Sequence, residues 1–320
     1  MFTIHNVEYQ GWAGRDFNYD VLGLGGEVTD VLEMNGSSNF MKGAIVAADA
    51  VTTVSETYAG ELRWPYFAHG MDSVLQFFPG KLRGITNGID CDAFDPETDR
   101  RLPVTYNAES FEEAKRENKL SLQQRLGLEV DADCAMLAIV TRLVEHKGVD
   151  LITHIADRLL LDRRVQFVLL GTGEGRYEEF FRGLEARFPG RVASVLQFDG
   201  GLANRIYAAA DLYLMPSKSE PCGLSQIIAM RYGTVPVVHA VGGLKDTVWP
   251  YDPETGLGRG FTFQSYNADD FFAAIDRALA LYYDEPQKFR ALQKSDMQQD
   301  FSWHGPAQRY MALYHEITGK

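Results

Sequence analysis

Apolar and polar positions alternate in blocks along the second half of the chain. Short apolar runs bounded by charged or glycine-rich residues predict five buried strands, at 134–140, 165–170, 192–198, 212–215 and 234–238. Helical spacing of apolar residues between them predicts helices at 148–161, 174–188, 202–210 and 223–232. Strands that alternate with helices indicate a parallel sheet covered on both faces. We therefore expect one complete doubly wound α/β domain over residues 131–300.

The rest of the chain has a different pattern. Residues 1–90 offer too few strand candidates for a complete doubly wound domain, so we expect the second half of one. The candidates there are a helix at 39–49, strands at 50–54 and 81–86, and a helix start at Ser55. Residues 91–130 predict a linker and a charged helix in which Glu112 and Arg116 pair one turn apart. Residues 301–320 predict a closing helix that packs back toward the N-terminal domain.

Composition narrows the class of protein. The 320 residues are 45% apolar and carry 31 Lys and Arg against 44 Asp and Glu, a formal net charge of −13. This acidic balance argues against a nucleic-acid partner. We see no membrane-length apolar run and no signal peptide, and Cys91, Cys134 and Cys222 are far apart. These features predict a cytoplasmic protein with free thiols, and no motif predicts a metal site.

Two cations follow the first strand of the predicted sheet. Ligands of open parallel sheets bind at the carboxyl ends of the strands, and Arg142 and Lys147 lie at this end, before a helix start. Both side chains could face a diphosphate, with backbone N–H groups of the helix as further donors. Two solvated loop charges explain the spacing equally well.

Glycines follow the second strand. Gly171 and Gly173 allow a close backbone approach to a ligand at a strand-to-helix turn. No complete dinucleotide fingerprint is present, so a tight turn is an equally simple explanation.

The stretch after strand 212–215 is the most informative. Glu220 precedes a helix expected to begin near Cys222 or Gly223, which would direct the N–H groups of Gly223, Leu224 and Ser225 toward an anion. A carboxylate beside such a site can bind sugar hydroxyls. The alternatives are a surface acid at a helix start and a small buried cysteine.

Three further residues stand at predicted strand ends. Phe198 could stack on a nucleobase, although a lone aromatic there favours the core. His5 and Asn6 follow a strand at the start of the chain, where a His-Asn pair is ordinarily structural.

Together, the motifs resemble the bacterial glycogen synthase and plant starch synthase family, with the bacterial branch the more similar. The resemblance spans the chain in order and rests on segments 3–6 with 9–11, 39–43, 87–90, Arg142-Leu143 with Lys147-Gly148, 220–224, 230–238, 242–248 and 301–303 with Tyr310 and 313–314. It implies a GT-B fold, two doubly wound domains facing across a cleft.

The resemblance also implies an activity. Family members transfer glucose from ADP-glucose to the non-reducing end of an α-1,4-glucan with retention, and need no metal and no cofactor. Arg142 and Lys147 would neutralise the diphosphate of the leaving ADP. Glu220 would lie by the glucose, to which His5 would reach from the other domain.

The remaining roles follow by the same resemblance. Asn87 would line the acceptor side, and Phe198 would lie against adenine. Ser225 would contact phosphate, and the amides of Cys222, Gly223 and Leu224 would bind glucose hydroxyls and phosphate. Asn6, Gly171 and Gly173 complete the predicted substrate-binding set.

The chain departs from the family pattern in places. It contains no Lys-x-Gly-Gly-Leu loop, and Phe94-Asp95 and Glu145-His146 differ from the usual residues. We therefore expect a fragment of reduced or no activity, with a separately encoded N-terminal half as a candidate partner.

Three alternatives stay open. Another retaining GT-B glycosyltransferase is disfavoured because Ile228 stands where many carry a second glutamate. A non-catalytic nucleotide- or glucan-binding remnant is a second alternative, and a generic doubly wound domain for another nucleotide is a third.

Overall fold

The computed structural model describes residues 1–319, with the side chain of Glu27 left out; position 320 of the expected closing segment lies outside this range. The chain forms two compact units. Unit 1 comprises residues 1–87 and the chain from residue 304 onward, and unit 2 comprises Gly88–Trp303. The linker and charged helix expected at 91–130 therefore belong to unit 2.

Unit 1 contains a small parallel sheet and a small antiparallel sheet. The parallel sheet has the order β1-β5-β6 and the antiparallel sheet the order β2-β4-β3. The elements are β1 (Phe2–Ile4), β2 (Trp12–Ala13), α1 (Asp16–Asp20), α2 (Gly26–Leu32), β3 (Glu33–Met34), β4 (Ser37–Asn39), α3 (Phe40–Ala47), β5 (Val51–Thr53), α4 (Glu56–Glu61), α5 (Pro65–Ala68), α6 (Asp72–Phe77) and β6 (Leu82–Gly84).

Three features of unit 1 agree with their prediction from the sequence: two strands and the start of one helix. The strands expected at 50–54 and 81–86 are confirmed as β5 and β6. Ser55 caps α4, since its side chain accepts a hydrogen bond from Tyr58 N at 3.0 Å. The antiparallel sheet was not predicted, because its strands have two or three residues and the central one, Ser37–Asn39, is polar and forms no apolar run.

Unit 2 is built on six parallel strands in the order β12-β11-β10-β7-β8-β9. Its elements are α7 (Phe111–Leu126), β7 (Ala135–Val140), α8 (Val149–Asp162), β8 (Val165–Leu170), α9 (Gly175–Arg187), β9 (Val192–Val195), α10 (Gly200–Ala209), β10 (Leu212–Met215), α11 (Ser225–Arg231), β11 (Val235–His239), α12 (Gly242–Thr247), β12 (Phe261–Phe263), α13 (Ala268–Asp284) and α14 (Pro286–Met297). The parallel sheet and its alternating helices are confirmed; β12 was not predicted.

The core of unit 2 lies on both faces of this sheet. Successive residues of β7 enter different clusters: Leu137 and Ile139 pack on one face, and Met136 and Ala138 on the other. Burial on both faces is the reason that the strands read as continuous apolar runs.

The charged helix differs from its prediction. α7 packs against α10, and the expected Glu112–Arg116 pair is wrong. Arg116 instead pairs with Asp133 at 2.6 Å, and Glu112 pairs with Arg290 at 3.3 Å. Partners on other segments outcompete a helical pair because the tertiary fold brings them into reach.

The closing helix α15 (His304–Thr318) is part of unit 1. Leu313 packs in a small cluster with Ala50 and Ile85, and Arg309 pairs with Glu56 at 2.6 Å. Within residues 1–319, no helix has the length and apolarity needed to cross a membrane.

Candidate functional site

Four loops meet at the carboxyl edge of the sheet in unit 2. They follow β11, β10, β7 and β8, which are consecutive in the sheet. The candidate residues Arg142, Lys147, Gly171, Gly173 and Glu220 all lie on these loops. Parallel pairing therefore gathers segments that are up to about a hundred residues apart in the sequence.

An ion pair lies at the centre of this edge. Lys147 Nζ is 2.7 Å from Glu220 Oε2, and the side chains are 19% and 8% exposed. Lys147 ends a single 3₁₀ turn, Glu145–Lys147, before α8. The sequence pointed to both residues but did not predict their pairing, which joins the loops after β7 and β10.

The segment Ser217–Glu220 is held at both ends. Ser217 Oγ donates to Glu220 Oε2 at 3.1 Å, and Gly243 N donates to the Glu220 carbonyl at 3.0 Å. Lys218 N donates to the carbonyl of His146 at 2.9 Å, which ties the segment to the Lys147 turn. Sequence reasoning missed the roles of Ser217 and Gly243. The available signals were a hydroxyl three residues before Glu220 and a glycine pair at the same edge.

A polar cavity of about 50 Å³ adjoins the ion pair and is also lined by Thr141, Tyr213 and Ser225. Tyr213 is buried, and its hydroxyl donates to the Val140 carbonyl at 2.9 Å. Burial raises the pKa of Tyr213 well above its ordinary value, so the phenol keeps its proton. This hydrogen bond fixes the end of β7 just before Arg142.

Arg142 is exposed, and its side chain makes no hydrogen bond or ion pair to residues 1–319. A guanidinium offers five N–H donors in a planar fork that matches a phosphate. Arg142 and Lys147 thus supply cationic donors at the edge where a parallel sheet binds its ligands.

The helix after Glu220 begins later than predicted. α11 starts at Ser225, so Cys222 and Gly223 are buried loop residues rather than a first turn. Leu224 is exposed and immediately precedes the helix. Gly223 has φ of +69°, a left-handed conformation that favours glycine and lies outside right-handed helix geometry.

The glycines after β8 have close neighbours within the protein. A Cβ on Gly171 would lie 1.8 Å from the Thr141 carbonyl oxygen, and one on Gly173 would lie 2.3 Å from that of Leu143. The Gly173 N–H donates to Glu178 Oε1 at 3.1 Å. Bonds from Thr172 and Gly173 lower the pKa of Glu178. The close backbone approach is thus between the loop after β8 and the loop after β7. Contacts of Gly171 and Gly173 with a ligand stay predictions.

Phe198 differs from its predicted setting. β9 ends at Val195, so Phe198 lies in the loop before α10, with 94% of its surface exposed. The expectation that a lone aromatic here is core is wrong. An exposed ring is free to stack on a planar ligand.

Three candidates lie in unit 1. His5 is exposed just after β1, and Asn6 Oδ1 accepts a hydrogen bond from Glu8 N at 2.9 Å. Asn87 is half-buried after β6. Their substrate contacts stay predictions.

Comparison of the sequence with known proteins identifies the family of the chain. The description "Starch synthase catalytic domain" matches residues 1–77, and "Glycosyl transferases group 1" matches residues 124–295. A glycogen synthase of Clostridium beijerinckii is 44% identical over the whole chain and 67% of its own length. The chain belongs to the glycogen synthase and starch synthase family of glycosyltransferases. The resemblance read from its motifs is confirmed.

Further relatives support the family and fold. A glycogen synthase of Exiguobacterium sibiricum is 46% identical over 99% of this chain and 66% of its own length. The chain thus spans about two thirds of the length of these relatives. The catalytic domain of starch synthase IV from Arabidopsis thaliana, bound to ADP and acarbose, matches with a TM-score of 0.92 and 38% identity over 100% of this chain and 67% of that one. The α/β fold of GT-B type is confirmed.

Proposed function

We propose that unit 2 of this chain binds ADP-glucose and that the chain belongs to an enzyme that extends an α-1,4-glucan. Glucose moves from ADP-glucose to the non-reducing end of the glucan with retention, and ADP leaves. The observation that carries the proposal is the Lys147–Glu220 pair beside Arg142 at the carboxyl edge of the sheet.

Charge explains what these residues contribute. As the bond between glucose and the diphosphate breaks, negative charge develops on the leaving ADP. Arg142 and Lys147 stabilise that charge, and their effect is larger in the transition state than in the ground state. Glu220 orients Lys147 and lies beside the glucose. This assignment uses protein groups alone, and the absence of a metal or cofactor requirement stays a prediction.

The remaining assignments extend the same proposal. Phe198 stacks on the adenine ring, and Ser225 with the amides of Cys222, Gly223 and Leu224 contacts phosphate and sugar. Four further points stay predictions: the glucan acceptor, the substrate contacts of His5, Asn6 and Asn87, a separately encoded N-terminal half, and a cytoplasmic location.

Calorimetric titration with ADP tests the donor site without requiring turnover. We expect saturable ADP binding that is weaker for UDP and at least about tenfold weaker in Arg142→Ala, since a charge-assisted bidentate contact is lost. Arg187→Ala is the matched control, because Arg187 is an exposed arginine of the same unit that pairs with Asp157, away from the candidate residues. A folded chain that binds no ADP would refute the donor-site assignment.

A further inference from the structure

A buried imidazole lies behind the Glu220 loop. His239 ends β11 and is 5% exposed. Its ring stacks on Phe263 with centroids 5.0 Å apart and contacts Tyr266 at 5.5 Å. Both ring nitrogens face main-chain oxygens: Nδ1 is 2.8 Å from the Ser217 carbonyl, and Nε2 is 3.2 Å from the Gln264 carbonyl.

The Ser217 contact connects His239 to the candidate site. A carbonyl oxygen only accepts hydrogen bonds, so the shorter contact assigns a proton to Nδ1. Ser217 in turn donates to Glu220 Oε2, which is the atom that pairs with Lys147. His239 thus fixes the first residue of the Ser217–Glu220 segment, while Gly243, from the loop after the same strand, fixes the last.

A second connection reaches the Lys147 turn. Tyr266, which contacts the His239 ring, donates from its hydroxyl to Asp150 Oδ1 at 2.6 Å. Asp150 lies in the first turn of α8, three residues after Lys147. The imidazole therefore has two links to the ion pair. It bonds to Ser217, in the segment that carries Glu220, and it contacts Tyr266, which bonds to Asp150 in the helix that follows Lys147.

We propose that His239 is a positioning residue that sets the geometry of the Lys147–Glu220 pair through its Nδ1–H bond to Ser217. His239 itself touches no substrate in this proposal. The inference rests on the proposed function, since it predicts an effect on the contact between Lys147 and the terminal phosphate of ADP.

Three variants separate the two ring nitrogens. The amide nitrogen of His239→Asn can replace Nδ1, and that of His239→Gln can replace Nε2. His239→Phe removes both ring nitrogens but keeps an aromatic ring against Phe263 and Tyr266. Val237→Ala is the matched control, because Val237 is fully buried in the same strand and its apolar side chain cannot donate a hydrogen bond to Ser217.

The readout is the ratio of the dissociation constants for AMP and ADP, measured by calorimetry on the folded chain. AMP lacks the second phosphate, so a misplaced Lys147 weakens ADP binding more than AMP binding. We expect the ratio to fall about fivefold to tenfold in His239→Gln and His239→Phe, and to stay within twofold of wild type in His239→Asn. A change in stability alone lowers both affinities equally and leaves the ratio unchanged, as expected for Val237→Ala.

The outcomes distinguish the two proposals. If the wild type binds ADP and all three His239 variants keep its ratio, the positioning role is wrong and the donor site stands. If the ratio falls in His239→Asn but stays at the wild-type value in His239→Gln, the hydrogen bond from Nδ1 to Ser217 is not what positions the pair, and the proposal is refuted. If the folded wild type binds neither nucleotide, the donor site itself fails and the positioning role falls with it.

Discussion

Unit 2 holds two lysine–carboxylate pairs at opposite edges of one sheet, one buried and one partly exposed. Lys147 and Glu220 lie 2.7 Å apart at the carboxyl edge, after β7 and β10. Lys119 and Asp211 lie 2.6 Å apart at the amino edge, where Asp211 directly precedes β10. The two pairs are similar in distance, yet their surroundings assign them different tasks.

The difference lies in the number of partners of each ammonium group. Lys119 Nζ also donates to the carbonyls of Ala132 and Cys134 and to the Tyr282 hydroxyl, at 3.1 to 3.2 Å. An ammonium has three protons, so Lys119 has none to spare. Within residues 1–319, Glu220 is the one side-chain partner of Lys147. A saturated pair stabilises the fold, whereas an unsaturated pair at a sheet edge keeps donors for a ligand.

Replacement of Lys119 should have the largest effect. Lys119→Met leaves Asp211 as an unpaired buried carboxylate, and we expect a loss of about 3–5 kcal/mol in the free energy of unfolding. Urea denaturation measures it. Lys288→Met, which removes an exposed partner of Glu285, is the control and should change stability by about 0.5 kcal/mol or less.

A small loss for Lys119→Met would show that the pair is not a structural anchor. If the variant does not fold, Lys119→Met combined with Asp211→Asn removes the stranded charge and should recover part of the stability. A double variant that is no more stable than the single one would contradict the argument.

The pH dependence of Lys115 tests the same edge. Lys115 is buried beside Lys119 and donates to three carbonyls and to Thr234. Burial lowers the pKa of Lys115 to about 7, so the unfolded chain binds more protons above that pH. The free energy of unfolding should therefore rise with pH from 7 to 9.

The expected slope is about 1.4 kcal/mol per pH unit, measured as the difference between wild type and Lys115→Met in urea denaturation. Below pH 7 both states are protonated, and the difference should level off. Parallel curves for the two proteins between pH 7 and 9 would show that Lys115 does not titrate there.

Replacement of Lys147 should have the smallest effect on stability and a selective effect on binding. The Lys147→Gln amide can still donate to Glu220, so the loss of stability should be smaller than for Lys119→Met. ADP affinity should fall about tenfold, or about 1.4 kcal/mol, because the cation that faces the diphosphate is lost.

Calorimetry on the glutamine variants of the two lysines, Lys119→Gln and Lys147→Gln, completes the comparison. Lys119→Gln, measured per folded molecule, should bind ADP as wild type does. Equal losses of ADP affinity in Lys119→Gln and Lys147→Gln would remove the distinction between the two edges.

The sequence pattern predicted the strands and helices that are determined by the residues within them. The six-residue strand Ala135–Val140 was found because burial on both faces imposes a continuous apolar run. Short elements such as β12 carry too few residues for a period, and the start of α11 depends on a turn at Gly223 that no spacing rule indicates.

The residue types and their order along the chain placed Arg142, Lys147 and Glu220 at one sheet edge and indicated the family. That inference succeeds because strand ends in a parallel sheet converge whatever the loops contain. The partners of each side chain required the tertiary structure. The pairing of Lys147 with Glu220, the full bonding of Lys119 and the position of His239 behind Ser217 all join segments remote in sequence. Hydrogen bonds act over about 3 Å, and only the packing of the sheet brings such segments within that distance.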